Sequence, residues 1–144
     1  MEDLNEKLLS AWLRLSVNIT NERVVSDMPY KEALVCNLLS KAEGGRLTAT
    51  DLCEQTKMLK SQMNRTLNSL EEKGLICRKR SDTDKRLIYV ALTFDSERIE
   101  LYHREHAKNL KLVDAIIERF GVERAECLIQ ELTEIADIAE EVLG

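Results

Sequence analysis

Leu59 to Leu92 reads LKSQMNRTLNSLEEKGLICRKRSDTDKRLIYVAL, and this stretch decides the fold. Met63, Leu67 and Leu70 are spaced four and three apart, the interval that builds one apolar stripe along a helix. A helix is therefore predicted over Lys60 to Lys73. Its opposite face carries Ser61, Gln62, Asn64, Arg65 and Asn68, all hydrogen-bonding side chains. Gly74 supplies a helix stop, because glycine accepts the left-handed conformation that a stop requires. Ile76 to Arg80 and Arg86 to Leu92 read as two strands. Ser81, Asp82, Thr83 and Asp84 between them are turn formers. A polar helix followed by a basic hairpin suits a reader of a nucleic-acid groove with an arm beside it.

Working outward, the 144 residues carry a formal charge of -5, but unevenly. Residues 57 to 86 hold nine Lys and Arg against four Asp and Glu, net +5. The segment before is net -3 and the segment after is net -7. A basic island in an acidic chain is the footprint expected for a phosphate backbone, and the acidic remainder disfavours binding elsewhere.

Upstream, Thr48 and Asp51 form a capping-box pattern opening a short helix to Thr56. Lys57, Met58 and Leu59 make the turn into the polar helix, completing a helix-turn-helix pattern. Pro29 sits where proline is tolerated, at the first turn of a helix over Tyr30 to Ala42 that Gly44 and Gly45 end. Leu34, Val35, Leu38 and Leu39 mark its core face. A first helix is predicted from Asp3 to about Val24, with Leu4, Leu8, Trp12 (or Leu15) and Ile19 in helical register, and Val25 to Met28 is read as a connector.

Downstream, Thr93 is placed to cap a long helix to Phe120. Its seam of Ile99, Tyr102, His106, Leu110, Val113, Ile117 and Phe120 has a period near 3.5, which suits helix-on-helix packing. Gly121 interrupts, and Glu123 to Leu143 forms a last amphipathic helix with Leu128, Leu132, Ile135, Ala139 and Val142 on one side. The terminal helices carry more apolar surface than a small lobe can cover, so a two-fold homodimer is expected.

The fold class is thus mainly α with a small β-hairpin wing. KSQMNRTLNSLEEKGLI and RKRSDTDKRLIYVALT resemble the recognition helix and wing of the MarR-type winged helix-turn-helix transcription regulators, down to Asp84 and Arg86 as the wing's Asp-x-Arg signature. The sequence departs from that pattern after Thr93, where Phe94 to Glu97 stand in place of a Gly-containing turn. The resemblance implies one domain, with a DNA-binding lobe over 28–93 and dimerisation helices over 1–24 and 94–144. It also implies a sequence-specific regulator of double-stranded DNA, binding a near-palindromic operator as a homodimer and released by a small molecule or another signal. Repression is favoured over activation, because blocking a promoter needs only occupancy.

The first turns of a recognition helix reach base edges in the major groove, which makes Lys60, Ser61, Gln62, Asn64 and Arg65 the candidate readers. Lys60 and Ser61, at the helix start, equally suit phosphate. Asn68 reads equally as a solvated residue. In the wing, Arg78, Lys79, Arg80 and Lys85 are assigned to phosphates, which set register but not sequence. The resemblance places Arg86 in or along the minor groove, positioned by Asp84. A narrow minor groove concentrates negative potential and attracts arginine.

Other classes find less support. No phosphate loop, H-E-x-x-H or G-x-S-x-G occurs, so no enzyme and no cofactor is expected. His103 and His106 are the weak candidates for a metal, lacking a clear third ligand. Cys36, Cys53, Cys77 and Cys127 stand singly, without a disulfide framework. A thiol switch would need an exposed, activated thiolate among them. A small-molecule pocket is expected near Trp12, Leu15 and Tyr30. No apolar run reaches the ~20 residues of a bilayer span, and MEDLNEK lacks the pattern of a signal peptide, so a cytoplasmic protein is expected, with no membrane contact. The rival reading is a winged helix used for protein contacts, which would not need a polar helix and a basic wing together.

Overall fold

Several element boundaries in the computed structural model have a local cause. The structure describes residues 3–20, 29–93 and 96–144, without the side chains of 19, 20, 96–99, 101, 102, 105, 106, 108 and 109. The predicted connector, the last residues of the first helix, and Ile99, Tyr102 and His106 of the predicted seam lie outside the described residues or side chains. The elements are α1 (Leu4–Thr20), α2 (Tyr30–Lys41), a 3₁₀ turn (Glu43–Gly45), β1 (Arg46–Thr48), α3 (Ala49–Thr56) and α4 (Lys60–Glu72). These are followed by β2 (Ile76–Arg80), β3 (Ile88–Leu92), α5 (Ser96–Phe120) and α6 (Val122–Leu143).

Pro29 stands just outside α2, where its missing N–H leaves no hydrogen bond unmade. Thr48 and Asp51 close the predicted capping box. The Asp51 N–H donates to Thr48 Oγ1 at 3.0 Å, and the Thr48 N–H donates to Asp51 Oδ2 at 3.1 Å. Thr48→Ala is expected to lower stability by about 1 kcal/mol, read as a shifted urea midpoint at unchanged slope.

The turn from α3 to α4 uses a feature that spacing does not reveal. Lys57 adopts φ 61° and donates its N–H to the Cys53 carbonyl at 2.9 Å, so a non-glycine residue makes a left-handed stop. Gly74 ends α4 as predicted, at φ 74°. The Leu75 N–H reaches back to the Leu70 carbonyl at 3.0 Å, the six-to-one bond of a glycine helix stop.

β2 matches its predicted bounds, whereas β3 begins at Ile88 rather than Arg86. The shortening has a cause in the turn. The Leu87 N–H donates to the Asp84 carbonyl and the Arg86 N–H to Asp84 Oδ1, each at 3.0 Å, so both residues belong to the tip. The hairpin also gains a third strand. β1 pairs antiparallel with β3, giving the order β1-β3-β2, with Leu47 opposite Val90 and Arg78 opposite Val90 from the other side. Thr93 extends this pairing, donating its N–H to the Leu75 carbonyl at 3.0 Å. α5 is described from Ser96, and the stretch that joins it to Thr93, the predicted cap, lies outside the described residues.

The core joins Val35, Cys36 and Leu39 of α2, Leu52 of α3, and Met63, Leu67 and Leu70 of α4 to Leu75, Ile76 and Val90. The three α4 residues are those whose spacing predicted the stripe. One charged side chain is buried with them. Glu32 is 3% exposed, and both its oxygens accept from Lys73 Nζ at 2.9 Å while Ser69 Oγ donates to Oε1 at 2.8 Å. Buried charge persists only when it is paired and hydrogen-bonded, and this pairing ties α2 to the end of α4.

The chain divides into two compact units, Met1–Lys108 and Asn109–Gly144. In the first, α1 leaves Leu4, Leu8, Leu9, Trp12, Leu13 and Leu15 exposed. In the second, Gly121 at φ 84° separates α5 from α6, and Arg124 stacks on the Phe120 ring at 3.8 Å. None of the 22 residues of α6 is buried, although Ile129, Leu132, Ile135 and Val142 recur along it. No helix among the described residues is long and apolar enough to cross a membrane.

Candidate nucleic-acid interface

The face of α4 opposite the core presents Lys60, Ser61, Asn64, Arg65 and Asn68, all exposed. Their exposure follows from the stripe, since Met63, Thr66, Leu67 and Leu70 turn the other way into the lobe. Lys60, Ser61, Asn64 and Arg65 form no side-chain hydrogen bond among the described residues, so their donors and acceptors are available. Gln62 is different. Its Oε1 accepts the Leu59 N–H at 3.2 Å, half of a capping box, so the side chain caps its own helix. Bidentate contact with a base would require that bond to open.

The hairpin sorts its charges by strand alternation. Ile76, Arg78 and Arg80 share the face of β2 that meets Leu92, Val90 and Ile88, while Cys77 and Lys79 share the other with Ala91 and Tyr89. The two faces hold their cations differently. Arg78 donates to Glu71 and Asn68 of α4 and is 26% exposed. Arg80 donates through Nη1 to the Lys85 carbonyl and braces the tip. On the opposite face the Arg46 guanidinium lies 4.1 Å from the centre of the Tyr89 ring. Arg46, Lys79, Arg80, Ser81, Thr83 and Tyr89 surround a concavity of about 230 Å³. Sequence reading missed Arg46, because a three-residue strand shows no period.

At the tip, Asp84 and Arg86 are joined as the sequence signature suggested. Arg86 Nε and Nη2 donate to the two Asp84 oxygens at 3.2 and 3.3 Å, and the Arg86 N–H donates to Oδ1. The Arg86 side chain is nevertheless 90% exposed. Its direction is fixed while its outer surface stays open. Donation from the Arg86 side chain, then from its backbone N–H, holds the Asp84 carboxyl below the usual aspartate range. The pair is therefore charged at neutral pH. Lys85 is exposed beside it.

Concave and thiol-bearing sites fall in several places. A cleft of about 580 Å³ opens between the start of α2, the α3–α4 turn and α4, lined by Tyr30, Glu32, Met58, Gln62, Arg65 and Ser69 among others. Of the three residues expected to line a pocket, Tyr30 lines this cleft, and Trp12 and Leu15, on α1, are not among its lining residues. Burial, followed by the neighbouring Glu32 carboxylate, pushes the Cys36 thiol up to about 12, so it carries no thiolate for redox chemistry near neutral pH. Cys53 is half-buried, and Cys77 and Cys127 are exposed. His103 is exposed, the His106 side chain lies outside the described residues, and no three His, Cys, Asp or Glu converge on a metal position among those described.

Comparison with known proteins agrees with this geometry. A family model described as MarR family matches residues 26–87. The HTH-type transcriptional regulator FarR of Neisseria gonorrhoeae is 32% identical over 120 residues, covering 83% of this chain and 77% of that protein. Sco3205, a MarR family transcriptional regulator from Streptomyces coelicolor solved in complex with DNA, aligns with 100% of this chain and 94% of its own at a TM-score of 0.76. At 22% identity that likeness speaks to the fold. NadR, solved in complex with 4-hydroxyphenylacetate, aligns over 96% of this chain and 95% of its own, with a TM-score of 0.67 and 27% identity.

Proposed function

The chain belongs to the MarR family of transcriptional regulators, and on that premise we propose that it is a homodimeric repressor that covers a near-palindromic operator in double-stranded DNA. The observation that carries this reading is the pairing of an open polar face on α4 with an arginine at the wing tip whose direction Asp84 fixes. In it, α4 enters the major groove, with Ser61, Asn64 and Arg65 at base edges. Lys60, Lys79, Arg80 and Lys85 neutralise phosphates. Arg86 enters the minor groove, where it meets concentrated negative potential.

The dimer supplies the second lobe. α6 has an apolar row and no buried residue, and α1 exposes Leu4, Leu8 and Trp12, so both helices have surface that a second copy would cover. Two lobes related by a two-fold axis would read half-sites about 34 Å apart, one turn of the duplex. Release by a small molecule fits the cleft against α4, because a ligand there would touch Gln62 and Arg65 of the reading helix. In this reading the protein acts in the cytoplasm.

Selection of bound duplexes from a random DNA library at moderate salt tests this. An enriched inverted repeat with half-sites one turn apart is the expected result. Enrichment of a single half-site would remove the dimer, and no enrichment at all would favour a winged helix that contacts protein.

A further inference from the structure

Arg78 has the composition of a phosphate contact but not the geometry. Its Nε and Nη2 donate to the two oxygens of Glu71 at 3.1 Å each, and Nη2 also donates to Asn68 Oδ1 at 2.6 Å. Both acceptors lie on the last turns of α4, while Arg78 is the central residue of β2. A single planar fork thus bridges the reading helix and the first strand of the wing. A guanidinium has donors only, so the Asn68 atom facing it is the amide oxygen. The Asn68 N–H₂ group therefore points away from Arg78, and Asn68 is exposed.

We propose that Arg78 is a positioning residue that holds the wing against α4 and orients Asn68 as a donor-only contact to a phosphate of the DNA backbone. The inference rests on the DNA-binding reading above and deepens it. Three observations support the assignment. The Arg78 side chain is 26% exposed against 90% for Arg86, so its face is turned inward and not toward a ligand. Its charge is matched by Glu71, whose carboxylate would otherwise stand on the reading helix and repel phosphate. An amide whose oxygen is turned to a guanidinium presents its N–H₂ group outward, and not the paired donor and acceptor edge that identifies adenine. Asn68 also sits eight residues into α4, beyond the first turns that reach base edges. A phosphate oxygen, which only accepts, is the matching partner.

The test is duplex binding across a salt series for the full-length wild type, Arg78→Lys, Asn68→Ala and the double variant, with Arg86→Ala as the reference for a true DNA contact. Lysine keeps the charge and can still pair with a phosphate, but it cannot bridge Glu71 and Asn68 at once. Arg78→Lys and Asn68→Ala are each expected to weaken binding by about fivefold to tenfold. The salt slope should be unchanged, because neither variant loses a cation. The double variant should be no weaker than about twofold below either single one, since both remove the same oriented donor. Thermal melting of Arg78→Lys separates a folding defect from a binding one. Wild-type affinity in Arg78→Lys, wild-type affinity in Asn68→Ala, or losses that multiply in the double variant would each overturn the assignment. If the wild type itself fails to bind duplex at low salt, the DNA reading falls and this inference with it. If wild type binds and only these variants behave otherwise, the inference falls alone.

Discussion

Arg86→Ala is expected to lower affinity for duplex DNA by about ten- to a hundredfold while leaving the melting temperature essentially unchanged. The two halves of this result have separate causes. The Arg86 side chain is 90% exposed and among the described residues pairs with Asp84 alone, two residues away, and exposed ion pairs add little to stability. Its value lies in binding. An arginine contact contributes about 0.7–1.4 kcal/mol net, and a two-fold dimer uses it twice, which gives the ten- to hundredfold loss. Asp84→Ala should weaken binding less, because the cation remains but its direction is freed. The pH dependence has a definite sign. The Asp84 carboxyl is depressed by donation from the Arg86 side chain and backbone. The pairing is therefore fully present above the ordinary aspartate range and is lost as pH falls through the depressed value. Wing geometry should hold throughout the neutral range. Fluorescence anisotropy with a labelled duplex reads the affinity, and circular dichroism reads the melt. Wild-type affinity in Arg86→Ala would remove the wing from the interface.

Lys73→Met should produce the largest loss of stability among single surface-accessible substitutions, about 3 kcal/mol. Glu32 is 3% exposed and receives Lys73 Nζ on both oxygens at 2.9 Å. Removing the lysine leaves a buried carboxylate with Ser69 Oγ as its remaining side-chain donor. The methionine stem keeps the packing, so the loss reports the missing charge. The lysine is 41% exposed, which places the expected value at the low end for a buried pair. Glu71→Ala, which breaks the more exposed pair with Arg78, should shift stability far less. Urea titrations of both variants check the difference. Equal midpoints would show that Glu32 is not held by Lys73. Because Ser69 and Lys73 belong to the reading helix or its cap, a protein that survives Lys73→Met should also bind DNA less well.

The legible parts of the fold were those with a strong local signal. The four-three spacing of Met63, Leu67 and Leu70 specified both the helix and its buried side, because the core needs that stripe and little else. Thr48 with Asp51, and Gly74, marked helix ends because their chemistry acts within one turn. β1 was not legible, since three residues after a double glycine, the last of them the capping threonine, carry no alternation. The left-handed Lys57 was hidden for a related reason, as lysine is not the residue type that marks such a conformation. At the interface, charge alone placed Arg78 with Lys79, Arg80 and Lys85 as phosphate contacts. Strand register and the reach of Glu71 and Asn68 across the fold separate them, and those depend on contacts distant in sequence. The Glu32–Lys73 tie, 41 residues apart, was invisible for the same reason.

The most direct test of the central claim is the salt dependence of binding to duplex DNA, measured by titrating the intact protein into a labelled operator or random-sequence duplex. With some six to ten phosphates neutralised by the two lobes, affinity should fall about a thousandfold or more between 50 and 200 mM salt, linearly on logarithmic axes. Absence of binding at the lowest salt, or an affinity that does not move with salt, would contradict the account.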